Sequence, residues 1–231
     1  MIQKNDFIEI DFTGRVKDGD IFDSTRKEDL EKLHTGHNHP VEPKTFTFCI
    51  GHKMFLEALD DFLVGKKIGQ DYEIELSPEK AFGKREPSLV HKIPLKIFRD
   101  QKINPVPGVS FNFDGRVGKV LAVSGGRVMI DFNLQLAGKT VIYNINAIRK
   151  VEDLSEKIRA LNEFFFKKDF KFEVKENKIL IEAEDSYSKF IELFKDKFKE
   201  ILGLDVGVKK ISERKKEDGK KESIEEDKKA Q

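Results

Sequence analysis

In several stretches of the first eighty positions, apolar and polar residues alternate with the two-residue period of strands that bury one face. Ile8, Ile10 and Phe12 follow this alternation, and the Asp-Gly pair at 18–19 predicts a hairpin turn into a second strand. The polar stretch 24–43 is predicted to be a loop. The strands that we predict in this part of the chain lie at 6–16, from residue 21, at 45–50 and at 71–76.

A helical pattern follows the third predicted strand. Apolar residues recur there at helical spacing until Gly65, which supplies a stop signal. We therefore predict a helix of about three turns whose apolar side covers the sheet. The residues of this apolar side are Phe55, Leu56, Leu59, Phe62 and Leu63.

From residue 86 the pattern changes to short apolar runs broken by prolines and by the Gly-Gly pair at 125–126. This change predicts a small all-β insert. A long strand over 144–151 is then expected to return to the first sheet, so that one domain is inserted within another.

The C-terminal part predicts a separate α+β unit of about sixty residues. The pattern predicts a helix from Leu154, strands at 170–174 and 179–183, a helix at 190–202 and a strand near 206–211. Such a small unit has a limited core, and we hypothesise that it pairs two chains into a homodimer or binds clients. The mixed-charge tail, 213–231, holds almost no apolar residues and is expected to be disordered.

Composition narrows the class of protein. The chain has 43 basic and 42 acidic residues and a formal net charge of +1, so no strong field attracts nucleic acid or a membrane surface. Charged residues make up 37% of the chain, which is typical of proteins from hot environments. A single cysteine, and the lack of a signal peptide or an apolar stretch of membrane-spanning length, favour the cytoplasm.

The polar residues indicate what kind of site to expect. The chain contains no recognisable nucleophile with its base, no glycine-rich phosphate loop and no cysteine pair for a metal. One acid, Asp23, stands among many aromatic residues. This combination predicts a pocket for an apolar group, without a cofactor.

Four motifs resemble the FKBP-type peptidyl-prolyl cis-trans isomerases, and most closely the SlyD-like branch of long archaeal type with an insert in the flap. The resemblance implies a half-wrapped antiparallel sheet around a short helix, and it covers about residues 1–151. It implies an isomerase domain at 1–86 plus 136–151, an insert at 87–135 and a C-terminal domain at 152–212. The motifs are Asp-Gly-x-x-Phe-Asp-Ser at 18–24, Phe-x-Phe-x-x-Gly at 46–51, Ser-Pro-Glu-x-Ala-Phe-Gly at 77–83 and Leu-Ala-Gly-Lys at 136–139.

The resemblance also implies the residues of a proline pocket. The family commonly has tyrosine where this chain has Phe12 and Phe82, and often tryptophan where it has Leu59. The implied catalytic residues are Phe12, Asp23, Phe46, Phe55, Leu56, Leu59, Phe82 and Tyr143. Phe22 and Leu136 are expected to contact the substrate beside them.

The implied activity is isomerisation of X-Pro bonds in unfolded or proline-containing polypeptides, with the insert acting as a chaperone that grips the client. Apolar residues of the insert are the candidates for this grip. They are Leu95, Phe98, Val109, Phe111 and Phe113.

Alternative interpretations stay open at this point. The pocket residues could be ordinary core, Asp23 could cap a turn, and the chain could hold clients with little isomerase activity. The cluster of His34, His37 and His39 could instead handle a metal ion. Cys49 is predicted to be a packed thiol.

Overall fold

The computed structural model describes residues 1–33 and 43–211. The predicted histidine cluster and the tail 213–231 lie outside these described ranges. The chain divides into two compact units, one of residues 1–157 and a second that begins at Ile158. Within the described residues, no helix is long and apolar enough to cross a membrane.

Strands and helices alternate irregularly along the chain. The strands are β1 (Phe7–Val16), β2 (Ile21–Ser24), β3 (Phe46–Cys49), β4 (Gln70–Leu76), β5 (Val90–Pro94), β6 (Ser110–Phe113), β7 (Arg116–Ser124), β8 (Arg127–Asp131), β9 (Val141–Lys150), β10 (Phe172–Lys175), β11 (Lys178–Ala183) and β12 (Asp205–Lys210). The helices are α1 (Lys27–Leu33), α2 (Glu57–Leu63), α3 (Leu95–Asp100), α4 (Leu154–Phe166), α5 (Asp185–Leu193) and α6 (Lys195–Leu202).

The first sheet contains five antiparallel strands in the order β2-β1-β9-β4, with β3 also paired to β1. Ile8 and Ile10 of β1 are fully buried and Phe12 is 4% exposed, as their alternation predicted. The apolar alternation of residues 8–12 therefore corresponds to one buried face of β1. The predicted return of the last strand to this sheet is confirmed by β9.

Helix α2 is shorter than the predicted three turns, because Leu56 has extended backbone angles at its N-terminal end. The buried Asp60 carboxylate accepts hydrogen bonds from the backbone N–H groups of Gly51, at 3.0 Å, and Lys53, at 3.2 Å. At the other end, Gly65 donates to the carbonyl of Ile2 at 2.8 Å. Both ends of α2 are thus tied to neighbouring backbone, which holds the helix beside the sheet.

Helix α1 forms where a loop was predicted, so the prediction for 24–43 is wrong over this helix. None of its residues is buried, so the sequence carries no apolar period to indicate it. Instead, the Asp29 carboxylate is bonded to hydroxyl groups of β1 and β2, namely those of Thr13 and Ser24. A tertiary polar contact therefore helps to hold this helix.

The insert is a four-stranded antiparallel sheet in the order β5-β8-β7-β6. The short helix α3 adds a helical element to the insert that was predicted to be all-β. Leu95 and Phe98 of α3 pack into the insert at helical spacing, which is one turn of an amphipathic pattern too short to recognise in the sequence. Buried core residues of the insert are Phe98, Val120, Val128 and Ile130.

The second unit contains a three-stranded sheet with β11 in the centre, antiparallel to β10 and parallel to β12. Two helices, α5 and α6, replace the single helix predicted at 190–202, and Phe194 at their junction stacks on Phe165 with ring centroids 4.8 Å apart. Phe190 and Leu193 of α5 are 40% and 76% exposed. The homodimer through this unit stays a prediction.

Candidate functional site

Aromatic rings from six separate segments meet on one side of the first sheet. Phe12 of β1 lies 5.0 Å from Phe55 and 6.0 Å from Tyr143 of β9, measured between ring centroids. Phe46 of β3 lies 5.4 Å from Phe55. On the other side of Tyr143 the chain of rings continues to Phe22, at 5.7 Å. Residues that are far apart in the sequence thus form one aromatic cluster.

The last ring of this cluster is Phe82, which lies 5.6 Å from Phe22 in an edge-to-face arrangement. Phe82 follows a 3-10 turn at Pro78–Lys80, and the N–H of Gly83 closes this turn by donating to the carbonyl of Pro78 at 2.7 Å. Gly83 has a φ of +81°, a conformation that favours glycine. Pro78 and Gly83 therefore fix the position of the backbone that carries Phe82.

The cluster has a buried floor and a partly exposed rim. Leu59 is fully buried, and Phe12 and Tyr143 are 4% and 2% exposed. Apart from Asp23, which is exposed, the remaining predicted pocket residues are half-buried, which leaves their side chains within reach of a ligand. These rim residues are Phe22, Phe46, Phe55, Leu56, Phe82 and Leu136.

Gly14 makes room for two of the rings. It lies opposite Asp23 on β2 and opposite Tyr143 on β9. A Cβ atom at this position would stand 2.8 Å from the Cζ atom of Phe22 and 3.0 Å from the Cε1 atom of Tyr143. No side chain larger than hydrogen fits there unless these rings move. Sequence reasoning missed Gly14, although it lies within the Asp-Phe-Thr-Gly segment.

Asp23 is the acid beside this cluster. Its side chain lies at the surface of β2, yet the surrounding protein raises the pKa of the carboxyl group above its ordinary value, while the Ser24 backbone N–H opposes this rise. Burial also raises the pKa of Tyr143, and the negative charge of Asp23 adds to that rise. Asp23 and the Tyr143 hydroxyl therefore share one electrostatic environment.

A hydroxyl network that the sequence analysis did not identify holds the end of β2. The Asp29 carboxylate accepts from Thr13 Oγ1 at 2.5 Å and from Ser24 Oγ at 3.2 Å, and the Thr13 hydrogen bond is the main cause that lowers the pKa of Asp29. Thr25 Oγ1 accepts from the Phe12 N–H at 2.8 Å. The Ser-Thr pair that follows Asp23 was the only signal in the sequence.

A cavity of about 650 Å³ adjoins the Phe22 and Phe82 end of the cluster. The β1–β2 hairpin forms one wall, and the segment from Leu134 to Lys139 forms another. This segment contains Leu136, which the sequence analysis placed near the substrate. The residues that line the cavity are Val16, Gly19, Asp20, Ile21, Phe22, Leu33, Phe82, Leu134, Gln135, Leu136 and Lys139.

The predicted client-binding residues of the insert differ in their access to solvent. Phe98 is 2% exposed and fills the insert core, so it is a core residue and not part of an exposed surface. Leu95, Phe111 and Phe113 are partly buried against the same core. Val109 is 43% exposed and remains available to a partner.

Cys49 is fully buried, and burial raises the pKa of its thiol to about 12. It is therefore a packed thiol, as predicted. Among the residues that the structure describes, no group of three His, Cys, Asp or Glu side chains could hold a metal ion. The histidine cluster lies outside those residues, so the metal-handling alternative stays a prediction.

A five-stranded antiparallel sheet beside a short helix, with an aromatic cluster and the acid Asp23 next to it, is the arrangement expected of the FKBP-type peptidyl-prolyl cis-trans isomerases. Residues 1–96 match the family model described as FKBP-type peptidyl-prolyl cis-trans isomerase. Residues 91–136 match the model of the IF domain of FKBP26. The chain therefore contains an FKBP-type peptidyl-prolyl cis-trans isomerase domain, matched over residues 1–96, with an insert of the FKBP26 kind at 91–136.

Curated relatives agree with this assignment. The chain is 29% identical over 154 residues to the short-type peptidyl-prolyl cis-trans isomerase of Methanocaldococcus jannaschii. This alignment covers 67% of this chain and 94% of the relative. It is 26% identical over 161 residues to the FKBP-type isomerase SlyD of Pasteurella multocida, an alignment that covers 68% of this chain and 73% of that relative. The FKBP-type 16 kDa isomerase of Escherichia coli is 28% identical over 152 residues, with coverage of 64% and 92%.

Proposed function

We propose that the aromatic cluster binds the proline side of an X-Pro bond and that the insert holds the unfolded chain to which this proline belongs. The observation that carries the first part is the continuous series of rings from Phe46 to Phe82, with a buried floor and a half-buried rim beside Asp23. Such a surface suits a small apolar ring.

The reaction requires no covalent chemistry. Rotation about a peptide bond has a barrier of about 18–20 kcal/mol because the amide resonance must be broken, and an unaided X-Pro bond takes tens to hundreds of seconds to exchange. A pocket that excludes water and fits the twisted amide better than either planar isomer lowers this barrier by differential binding. Phe12 and Phe82 supply shape to such a pocket but no hydroxyl donor.

Replacing Asp23 with asparagine is expected to lower kcat/KM for a short X-Pro peptide by about tenfold, which is the scale of one electrostatic contact of about 1.4 kcal/mol in the transition state. The pKa of Asp23 is raised, so the intact enzyme should lose activity on acidification at a pH above the ordinary value of 3.8. Peptide turnover measured against pH should show this acid limb in the intact chain and not in D23N.

Stability provides the internal control for this experiment. Because the pKa of Asp23 is raised in the folded protein, the charged carboxylate opposes folding, and stability should fall as the pH rises through that pKa. D23N should therefore keep or raise the melting temperature at neutral pH while activity falls. An Asp23→Asn enzyme with unchanged turnover would show that this acid only caps the turn.

The second part of the proposal concerns the insert. Its strands and connecting segments carry apolar side chains that the insert core does not cover, at exposures of 43% for Val109, 64% for Val117 and 36% for Leu121. Contacts with an unfolded chain on this surface would keep its prolines near the aromatic cluster and raise their effective concentration there. The insert would then supply the affinity for the client, and the aromatic cluster would catalyse the isomerisation.

Replacement of residues 87–135 by a short loop tests this division. The two ends of the insert meet, because Asn133 and Glu86 exchange two hydrogen bonds of 2.8 and 3.0 Å, so a short connection can span the gap. We expect turnover of a short X-Pro peptide to persist while acceleration of a proline-limited refolding protein falls by at least tenfold. Parallel assays on both substrates, with intact chain as the reference, measure the two effects.

Other outcomes of this experiment would contradict the proposal in different ways. Equal loss of both activities would mean that the insert supports the fold of the pocket and does not grip clients. If the intact chain accelerates neither reaction yet suppresses aggregation, a holding chaperone with little isomerase activity becomes the better description.

A further inference from the structure

A second cavity, of about 670 Å³, lies between the insert sheet and the segment that leads back to β9. We call it the insert groove. Its centre differs from that of the cavity beside Phe22 and Phe82, and its wall is formed mainly by β7 and by the segment 132–139. Its lining residues are Arg85, Gly108, Ser110, Arg116, Val117, Lys119, Leu121, Asp131, Phe132, Asn133, Leu134, Gln135, Ala137 and Lys139.

The insert groove has an excess of positive charge. Arg85 is paired with Asp131 at 2.7 Å. None of the carboxylates in the described residues forms an ion pair with Arg116, Lys119 or Lys139. Asp131, the carboxylate of the groove, also lies opposite Lys119 in the pairing of β7 with β8. The groove therefore holds four cations and one carboxylate, in a protein whose formal net charge is only +1.

Apolar side chains stand between these cations. Val117, Lys119 and Leu121 follow each other at every second position of β7 and are all exposed. Leu134 is 70% exposed on the opposite wall. An extended polypeptide also presents every second side chain to the same side, so its spacing matches a surface on which apolar and basic groups alternate.

The insert groove also adjoins the site. Leu134, Gln135 and Lys139 line both the insert groove and the cavity beside Phe22 and Phe82. A polypeptide that lies along the groove can pass this shared wall and bring a neighbouring proline to the aromatic cluster. The segment 134–139 therefore links client binding with the site of isomerisation.

We propose that the insert groove selects extended client segments in which acidic residues alternate with apolar ones, and that prolines flanking such segments are the preferred substrates. This inference rests on the proposed function, because it names the class of client that the insert grips. Carboxylates of the client would pair with Lys119, Lys139 and Arg116, while its apolar side chains cover Val117 and Leu134. The exposed apolar groups favour polypeptide over nucleic acid.

Two fluorescent peptides without proline test the selectivity. They have the same length and the same apolar residues, but one carries glutamate and the other lysine at every second position. Exposed ion pairs are weak singly, and three of them together predict about tenfold tighter binding of the acidic peptide at low salt. This preference should shrink at 0.3 M salt, because exposed pairs are screened. Equal affinities of the two peptides at low salt would overturn the inference.

Charge reversal in the chain provides the complementary test. The double variant R116E/K119E should bind the lysine peptide more tightly than the glutamate peptide. Lys96→Glu is the matched control, because Lys96 is exposed on α3 and does not line the groove, and it should leave the preference unchanged. A preference for glutamate that survives in R116E/K119E, in a protein with an unaltered circular dichroism spectrum, would also overturn the inference.

The inference and the proposed function fail in different ways. If both peptides bind equally but replacement of 87–135 still abolishes accelerated refolding, the insert binds clients without a preference for acidic ones. If neither peptide binds and the replacement leaves refolding unchanged, the insert does not hold clients. This inference and the second part of the proposed function then fall, while the proposal for the aromatic cluster stands or falls with peptide turnover.

Discussion

Replacing Gly14 with alanine is expected to lower kcat/KM for a short X-Pro peptide by about tenfold or more, since small displacements of groups that position a substrate carry large rate effects. The added Cβ would stand 2.8 Å from the ring of Phe22 and 3.0 Å from that of Tyr143. Both rings must move, and both belong to the aromatic cluster. Steady-state turnover of the peptide measures the effect.

Stability should fall in the same variant. Overpacking of a buried contact costs about 1–3 kcal/mol. Against this cost, alanine gains about 0.4–1 kcal/mol through the unfolded chain, because the φ angle of Gly14 does not lie in the left-handed region. We therefore expect a net loss of up to about 2.5 kcal/mol in the free energy of unfolding, measured by urea titration.

Gly19→Ala is the matched control for this prediction. Gly19 lies in the same hairpin, and its added Cβ would approach only Val16, at 3.2 Å. It should retain peptide turnover. If G14A and G19A lose turnover to the same extent, hairpin geometry and not ring position controls the rate.

Removal of the Asp29 carboxylate is expected to destabilise the protein by about 2–3 kcal/mol, because hydrogen bonds to charged groups contribute about 1.5–3 kcal/mol each and are not additive. In Asp29→Ala the buried hydroxyl groups of Thr13 and Ser24 lose their shared acceptor. The end of β2 should loosen, and Asp23 with it. Unfolding free energies and peptide turnover are the two measurements.

The pH dependence of stability distinguishes the hydrogen bonding of the Asp29 carboxylate from a simple packing effect of its side chain. The pKa of Asp29 is lowered, mainly by the Thr13 hydroxyl, so its stabilisation is fully present above the ordinary value of 3.8 and is lost as pH falls through the lowered pKa. Asp29→Asn keeps an acceptor oxygen and should remove this acid-side loss. Melting temperatures of intact chain, D29N and D29A between pH 2 and 7 measure it.

Glu28→Ala serves as the control, because Glu28 is an exposed neighbour in the same helix. It should change stability by less than about 0.5 kcal/mol. If E28A is as damaging as D29A, the helix itself and not the carboxylate network is responsible.

Strand β1 illustrates what the pattern of residues is sufficient to predict. Its period of two was readable because one face is buried, and the burial of Ile8, Ile10 and Phe12 follows that period. The motifs at 18–24 and 77–83 were equally informative, since the φ of +81° at Gly83 is a conformation that residues other than glycine rarely adopt. Local rules of this kind operate over a few residues and need no knowledge of the fold.

Helices α1 and α3 illustrate the opposite case. The residues of α1 are not buried, and its Asp29 finds partners on two strands that come earlier in the chain. Helix α3 has too few residues for a helical period to be recognised. The sequence analysis missed α1 because its polar contacts follow no period, and it missed α3 because six residues are too few to show one.

The amino-acid sequence by itself indicated the strands of the first sheet through local periodicity. Its motifs, through their resemblance to the FKBP-type family, indicated the class and the aromatic residues expected around Asp23. Only the tertiary structure decided which of them lie at the floor or the rim of the site, that Phe98 is core, and that Gly14 makes room for two rings. It also decided that the insert groove meets the site along 134–139. The reason is physical, because exposure and close approach depend on which distant segments pack together, and no short stretch of sequence contains that information.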